Sequence, residues 1–150
     1  MRQLELRRHA RRDPEADRLS AEGRAQAEDL GRSATSTFDA VFVSPAERAA
    51  ETAAWILRGA GAQLPEHEVV PGLAGHDADG GTAASMAAGV RALLARVPEG
   101  GRGLAISHTP FVERTVEGLT GRTPGPFAEC EGILVTLHED GDLEVEELRR

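Results

Sequence analysis

The chain has 150 residues, the size of a single domain with its own hydrophobic core. Its net charge of −8 argues against a nucleic-acid-binding protein, because such proteins need a basic face. The single cysteine excludes an internal disulfide. Since there is neither an apolar stretch of membrane-spanning length nor a signal-peptide pattern, we expect a cytoplasmic protein with no membrane partner.

A short apolar alternation near the start of the chain ends in concentrated positive charge. Leu4 and Leu6 predict a first β-strand, which ends in the run RRHARR at residues 7–12 before Asp13-Pro14 turns the chain. Like charges this close repel one another unless an anion lies among them, and a histidine at such a place can attack a phosphate. Taken alone, however, such a run is more often a solvated basic turn.

Helix and strand signals then alternate along the first half of the chain. Ser20 is a typical N-cap for a helix over about residues 21–33, and residues 40–43 are an apolar run typical of a strand buried on both faces. The run SPAE at residues 44–47 predicts a capping box, with Pro45 at the first position of a helix that ends near Gly59.

The second half continues the alternation. Strands are predicted over residues 68–70 and 104–106, and a loop over 71–81. Helices are predicted over 86–97, where Pro98 ends the pattern, and over 112–121. Residues 133–138 and 143–148 flank an acidic turn and predict a hairpin.

This order predicts an α/β fold: a three-layer α/β/α domain over residues 1–150, with a largely parallel central sheet and a C-terminal antiparallel hairpin. Ligands of such sheets bind beyond the carboxyl ends of the strands. Charged or catalytic residue types stand at three of these ends: Arg8-His9, residues 44–48 and Ser107-His108. We therefore expect these distant segments to meet in one crevice.

Four runs resemble the histidine phosphatase, or phosphoglycerate-mutase-like, superfamily. They are RHA at residues 8–10, LSAEGRAQA at 19–27, SPAERAAETA at 44–53 and SHTP at 107–110. The likeness covers nearly the whole chain in order. In length and spacing the sequence is most similar to the small bacterial phosphohistidine phosphatases of that family.

The resemblance implies a phosphatase in which His9 is phosphorylated and the phosphohistidine is then hydrolysed by water. Arg8 and Arg48 would clamp the phosphoryl oxygens, for which forked guanidinium donors are suited, and His108 would donate to the same group. Further substrate contacts are expected from Arg11, Ser107 and Thr109. The alternatives are that Arg48 is a surface partner of Glu47 or Glu51, that His108 is a core or capping histidine, and that Arg11 is solvated.

Two positions depart from the family pattern. Ala10 stands where glycine usually follows the nucleophilic histidine, and its methyl group could crowd the phosphate. Gly75 stands at the apparent position of the glutamate that serves as general acid in the mutase branch. Asp77 and Asp79 are weak candidates for that acid. With His76 they could suggest a metal, but we expect neither a metal nor a cofactor.

The function expected from the sequence is a metal-independent phosphatase for phosphohistidine-type or other activated phosphates. The predicted partner is a phosphorylated protein or a small phosphorylated substrate. No insertion is long enough to form a lid, so we expect an open site that could admit a protein surface. The alternatives are a phosphatase or mutase for small phosphometabolites and a phospho-ligand binding module without turnover.

Overall fold

The computed structural model describes residues 1–35, 37–62, 66–76 and 80–150. Its strands are β1 (Arg2–Arg8), β2 (Ala40–Val43), β3 (His67–Val69), β4 (Arg102–Ser107), β5 (Gly132–Leu137) and β6 (Leu143–Leu148). Its α-helices are α1 (Ala21–Arg32), α2 (Glu47–Gly59), α3 (Ala83–Leu94) and α4 (Phe111–Thr120), and a short 3-10 helix spans Pro71–Ala74.

The described strands form one mixed sheet in the order β3-β2-β4-β1-β5-β6. The first four strands are parallel where they pair, β5 runs antiparallel to β1, and β6 returns antiparallel to β5. The prediction of a largely parallel sheet closed by a C-terminal hairpin is therefore confirmed. The order also places the carboxyl ends of β2, β4 and β1 side by side.

Helices cover both faces of this sheet, and the strand side chains alternate between them. Val41 and Val43 pack in a cluster with the apolar faces of α1 and α2, whereas Phe42 packs in a second cluster with α3 and α4. Leu4 and Leu6 from β1 lie in the second cluster. The predicted three-layer α/β/α architecture is confirmed. None of the described helices is long and apolar enough to cross a membrane.

The capping box predicted for α2 is wrong. The helix begins at Glu47, not at Pro45, and its N-cap, Ala46, makes no side-chain hydrogen bond. The Ser44 hydroxyl lies 2.6 Å from Nε2 of His108, so it is used in a contact between two strand ends. The predicted end of the helix at Gly59 is confirmed.

Local capping explains the other boundaries. The Ser20 side chain accepts from the Gly23 amide, and α1 begins at Ala21 as predicted. Thr82 caps α3 in the same way by accepting from the Ser85 amide. The helix therefore starts at Ala83, before the first large apolar residue that marked it in the sequence.

Candidate active site

The ends of three neighbouring parallel strands bring together residues that are far apart in the chain. His9 follows β1, Ser44 follows β2 and His108 follows β4, which lies between the other two. The His9 amide donates to the Ser107 carbonyl at 3.0 Å, and the Ser44 amide donates to the Ile106 carbonyl at 3.1 Å. The predicted convergence of the three segments is thus present in the fold.

The ring of His9 has a defined tautomer. Its Nδ1 lies 2.7 Å from the Ala10 carbonyl oxygen, which can only accept, so Nδ1 carries the proton. Its Nε2 then holds a lone pair, which accepts from Nε of Arg48 at 3.3 Å. Burial lowers the pKa of His9; the hydrogen bond to Ala10 opposes this, and the charges of Arg48 and Arg8 add to the lowering. The imidazole is therefore a neutral base at pH 7.

His108 is held as the opposite tautomer. Its Nδ1 lies 3.3 Å from a terminal nitrogen of Arg48, which can only donate, so its Nε2 carries the proton and donates to the Ser44 hydroxyl. The rings of His9 and His108 are 5.1 Å apart. Burial, followed by the charges of His9 and Arg48, lowers the pKa of His108 to about 4.

Arg48 links the two rings through its guanidinium group. Its Nε donates to His9, one terminal nitrogen donates to His108, and the other donates to the Asp17 carboxylate at 2.8 Å. Glu51 is paired instead with Arg24. Arg48 therefore forms a cluster with His9 and His108, called the histidine cluster below. In the described structure its carboxylate partner is Asp17, not Glu47 or Glu51.

Arg8 brings a second guanidinium to the cluster, and one of its donors is free. One terminal nitrogen donates to the Phe127 carbonyl at 2.9 Å, which ties the side chain to the loop before β5. Its Nε is buried and has no hydrogen-bond partner among the described residues. A buried donor without a partner is costly, so this atom is available to an anion or a water.

A cavity of about 450 Å³ opens beside the cluster. It is lined by Pro45, Ala46, Arg48, Ala74, His76, His108, Thr109 and Phe111. Among these lining residues none has a carboxyl group, and the charged or titratable ones are an arginine and two histidines. The cavity is therefore suited to an anion.

The position of the missing glutamate is constrained by packing. Gly75 has a φ of 71°, and a Cβ placed on it would lie 2.6 Å from the ring of Phe111. The left-handed backbone favours glycine here, and a side chain at this position would require the Phe111 ring to shift. The next residue, His76, lines the cavity. From the sequence, His76 was interpreted only as part of a possible metal site.

The family model "Histidine phosphatase superfamily (branch 1)" matches residues 3–82, which is more than half of the chain. The chain belongs to the histidine phosphatase superfamily. The resemblance inferred from the four sequence runs is thereby confirmed. The family and its phosphatase structures also support the predicted enzyme class, a phosphatase.

Solved structures match this chain over nearly its full length. A protein histidine phosphatase SixA complexed with tungstate is 28% identical, with a TM-score of 0.75, and the match covers 98% of this chain and 96% of that one. Phosphoglycerate mutase from Bacillus anthracis is 16% identical (TM-score 0.78; 97% and 92% covered). Phosphoserine phosphatase from Entamoeba histolytica is 17% identical (TM-score 0.74; 100% and 98% covered). Comparison with curated proteins gives no match.

The remaining predicted contacts of this histidine phosphatase are placed differently. Thr109 lines the cavity, although its hydroxyl donates to Glu113 at 2.6 Å. Ser107 is fully buried and donates to the Leu73 carbonyl, and Arg11 is an exposed partner of Glu22. The structure thus brings Thr109 to the cavity, but not Ser107 or Arg11. Their substrate contacts stay predictions.

The candidate general acids Asp77 and Asp79 lie outside the described residues. Within residues 1–35, 37–62, 66–76 and 80–150, no group of three or more histidine, cysteine, aspartate or glutamate side chains could hold a metal ion. The expected absence of a metal stays a prediction.

The methyl group of Ala10 packs into the protein core. It is buried with Ala49 and Ala53 in the core cluster beneath α2. The φ of Ala10 is not positive, so no glycine-like backbone is required. The Ala10 amide donates to the Thr52 hydroxyl at 3.0 Å. The effect of Ala10 on a bound phosphate stays a prediction.

The sequence did not indicate the contacts of three side chains that hold this cluster. Ser44 contacts His108, and its sequence signal was mistaken for a cap. Thr52 accepts from the Ala10 amide and donates to the Arg48 carbonyl at 2.7 Å, so it joins the His9 loop to α2. Asp17, which contacts Arg48, lies in a polar loop where no sequence pattern distinguishes it from neighbouring acidic residues.

Proposed function

We propose that the chain is a phosphatase that forms a covalent phosphohistidine on His9 and acts without a metal. The tautomer of His9 carries this proposal. A histidine can attack phosphorus only with an unprotonated ring nitrogen, and the Ala10 carbonyl keeps the proton on Nδ1, so Nε2 is the nucleophile. That lone pair already faces a guanidinium, which is where a phosphoryl group would be held.

In the first step, Nε2 of His9 attacks phosphorus, and the bond from phosphorus to the leaving group breaks with the electron pair going to that group. Arg8 and Arg48 stabilise the charge on the phosphoryl oxygens, with the free Nε of Arg8 as one donor. The Nε donor of Arg48 moves from His9 to a phosphoryl oxygen, which frees the nucleophile.

His108 supplies a third contact to the phosphoryl group. Its pKa of about 4 applies to a site surrounded by positive charge, and a bound phosphoryl dianion raises this pKa. Once Nδ1 has taken a proton from solvent, it donates to the phosphoryl group, and the Arg48 nitrogen from which it accepted turns to a phosphoryl oxygen. In the second step, water attacks the phosphohistidine, inorganic phosphate leaves and the neutral His9 is regenerated.

The favoured substrates are phosphohistidine and other phosphates with good leaving groups. The structure that is 28% identical over nearly the whole chain is a protein histidine phosphatase. Alkyl phosphates are less favoured in this proposal, since their alkoxide leaving groups need a strong proton donor and Gly75 stands at the apparent position of that acid. The imidazole that leaves from phosphohistidine is a much weaker base and can be protonated before the bond breaks.

The proposal is tested by labelling the enzyme. The chain is mixed with a peptide carrying ³²P-phosphohistidine, and protein-bound label and free phosphate are followed together. We expect an acid-labile label on His9 and release of phosphate, both lost in His9→Ala and both kept in His138→Ala, a change at an exposed histidine. Saturable binding of the peptide without label or release would contradict the proposal and indicate a binding module.

A second measurement tests the substrate class. The values of kcat/KM for the phosphohistidine peptide, 3-phosphoglycerate and phosphoserine are compared under the same conditions. We expect the peptide to be preferred by at least about tenfold, ~1.4 kcal/mol. Preference for either small metabolite would contradict the proposed substrate class while leaving the His9 mechanism in place.

A further inference from the structure

The loop between β1 and α1 sends one carboxylate into the histidine cluster. Oδ1 of Asp17 accepts from the Arg48 side chain at 2.8 Å and from the Arg48 amide at 3.2 Å, while Oδ2 accepts from the Glu47 amide at 2.9 Å. Asp17 thus accepts hydrogen bonds from both the backbone amide and the guanidinium group of Arg48. We propose that Asp17 is a positioning residue, which fixes the Arg48 guanidinium between His9 and His108; this inference rests on the proposed function.

The start of α2 explains why such a carboxylate is needed. The first amides of a helix have no partner within the helix, and the N-cap, Ala46, has no side chain that could accept from them. Asp17 takes this place from thirty residues away in the chain. The helix N-terminus is therefore occupied by the protein's own anion, and the phosphoryl group is left to the side chains of Arg8, Arg48 and His108.

Asp17 also decides which donors of Arg48 face the reaction. One terminal nitrogen is taken by Asp17, and the remaining two nitrogens point to Nε2 of His9 and Nδ1 of His108. A guanidinium held only by its own flexible chain would lose this orientation. Geometric errors near 1 Å in positioned groups are known to be costly for catalysis.

The loop that carries Asp17 is itself held in place. Arg12 and Leu19 form an isolated antiparallel bridge, the Asp13 amide donates to the Arg18 carbonyl at 2.7 Å, and the Leu19 amide donates to Glu51 on α2. Burial opposes ionisation of Asp17, but the hydrogen bonds from the Glu47 amide and from Arg48 outweigh it and hold the pKa of its carboxyl below the usual value. Asp17 is thus a fixed, ionised partner at neutral pH.

Asparagine at this position removes the charge while keeping part of the cap. The side chain of Asp17→Asn keeps one oxygen that can accept from an amide of α2, but its NH2 group replaces the second acceptor, and it has no charge to hold the guanidinium. We therefore measure Asp17→Asn with p-nitrophenyl phosphate, and Asp13→Asn as the matched control. Asp13 lies in the same loop and pairs with Arg18, not with Arg48.

We expect kcat/KM to fall at least about tenfold in Asp17→Asn and less than about twofold in Asp13→Asn, with the thermal midpoint of both within a few degrees of the wild type. In an Arg48→Ala background, Asp17→Asn should cost less than about twofold, because the residue that it positions is already gone. Equal losses in both backgrounds, or equal kinetics of Asp17→Asn and Asp13→Asn, would overturn the inference.

A readout without turnover separates this inference from the proposed function. The ¹⁵N chemical shifts of the imidazole rings report whether Nδ1 of His108 and Nε2 of His9 accept from Arg48. We expect both shifts to move in Asp17→Asn and to stay in Asp13→Asn. Unmoved shifts in Asp17→Asn would overturn the positioning role even in an active enzyme, whereas moved shifts in a chain that never labels His9 would support it and reject the proposed function.

Discussion

Two arginines that are neighbours in the chain, Arg7 and Arg8, belong to two different charge clusters, of which the first is buried and the second is partly buried. Arg7 donates to Glu5 at 2.8 Å and to the Cys130 carbonyl at 2.7 Å, and Arg102 donates to the other oxygen of Glu5 at 2.9 Å. The side chain of Arg8, on the opposite side of the strand, donates to the Phe127 carbonyl and leaves its buried Nε without a partner in the described structure.

The contrast distinguishes a structural charge cluster from a reactive one. In the first, both oxygens of a carboxylate are matched by guanidinium donors, and the adjoining cavity holds about 140 Å³. In the second, the guanidinium groups of Arg8 and Arg48 accompany two neutral histidines, beside a cavity of about 450 Å³. Arg48 has the Asp17 carboxylate, but the buried Nε of Arg8 has no partner in the described structure, and such a donor is costly. We therefore infer that the second cluster is completed by an anion and that the first is already complete.

Replacement of the nucleophile should have the largest effect. We expect His9→Ala to lower kcat at least about a thousandfold, ~4 kcal/mol in barrier height, because the change removes the proposed nucleophile. Circular dichroism should show an unchanged fold. Activity within about tenfold of the wild type would contradict the assignment of His9 as the nucleophile.

Changes in the cluster of Glu5, Arg7 and Arg102 should lower stability and leave turnover unchanged. Glu5→Ala leaves the buried guanidinium of Arg7 unpaired, and we expect a loss of about 3 kcal/mol in the free energy of unfolding, measured with urea. The kcat of the folded fraction should stay within about twofold of the wild type. If stability were kept and turnover lost, the division between the two clusters would be wrong.

The neutral state of His108 predicts a dependence of stability on pH. Its folded pKa of about 4 lies below its unfolded value, so the unfolded chain takes up the proton first. The free energy of unfolding is then highest above about pH 6.5, and it declines by on the order of 1–3 kcal/mol as the pH falls towards 4. Urea unfolding at several pH values should show a smaller decline in His108→Asn, and an equal decline in both proteins would contradict this burial effect.

A change that keeps the positive charge of Arg48 but removes its planar guanidinium group should lower kcat/KM moderately. We expect Arg48→Lys to cost at least ~2 kcal/mol in transition-state stabilisation, about thirtyfold in kcat/KM, because lysine cannot bridge two acceptors as a planar guanidinium does. Arg58→Lys, at the exposed end of the same helix, is the matched control. Equal kinetics of the two variants would place Arg48 outside the reactive cluster.

The sequence predicted those features that periodicity and strand ends determine. Alternating apolar runs gave the layers, and the residue types at the ends of β1, β2 and β4 gave His9, Arg48 and His108. Contacts that depend on loop geometry were not predictable. Asp17 and Ser44 act across thirty and sixty-four residues, and nothing local distinguishes them from a solvated aspartate or a helix cap.

The smallest expected effect is that of replacing Asp77 or Asp79, measured on substrates whose leaving groups differ in pKa. An enzyme without a positioned acid should cleave aryl phosphates with strongly decreasing kcat/KM as the pKa of the leaving group rises, because the departing oxygen keeps its negative charge. Gly75, which has no carboxyl group at the apparent position of the acid, favours this behaviour. We expect Asp77→Asn and Asp79→Asn to change kcat/KM by less than about twofold throughout the series. A flat series that collapses in either variant would identify a working carboxylic acid and contradict the preference for activated phosphates. A flat series that becomes steep only in His76→Gln would instead assign the proton to the histidine that lines the cavity.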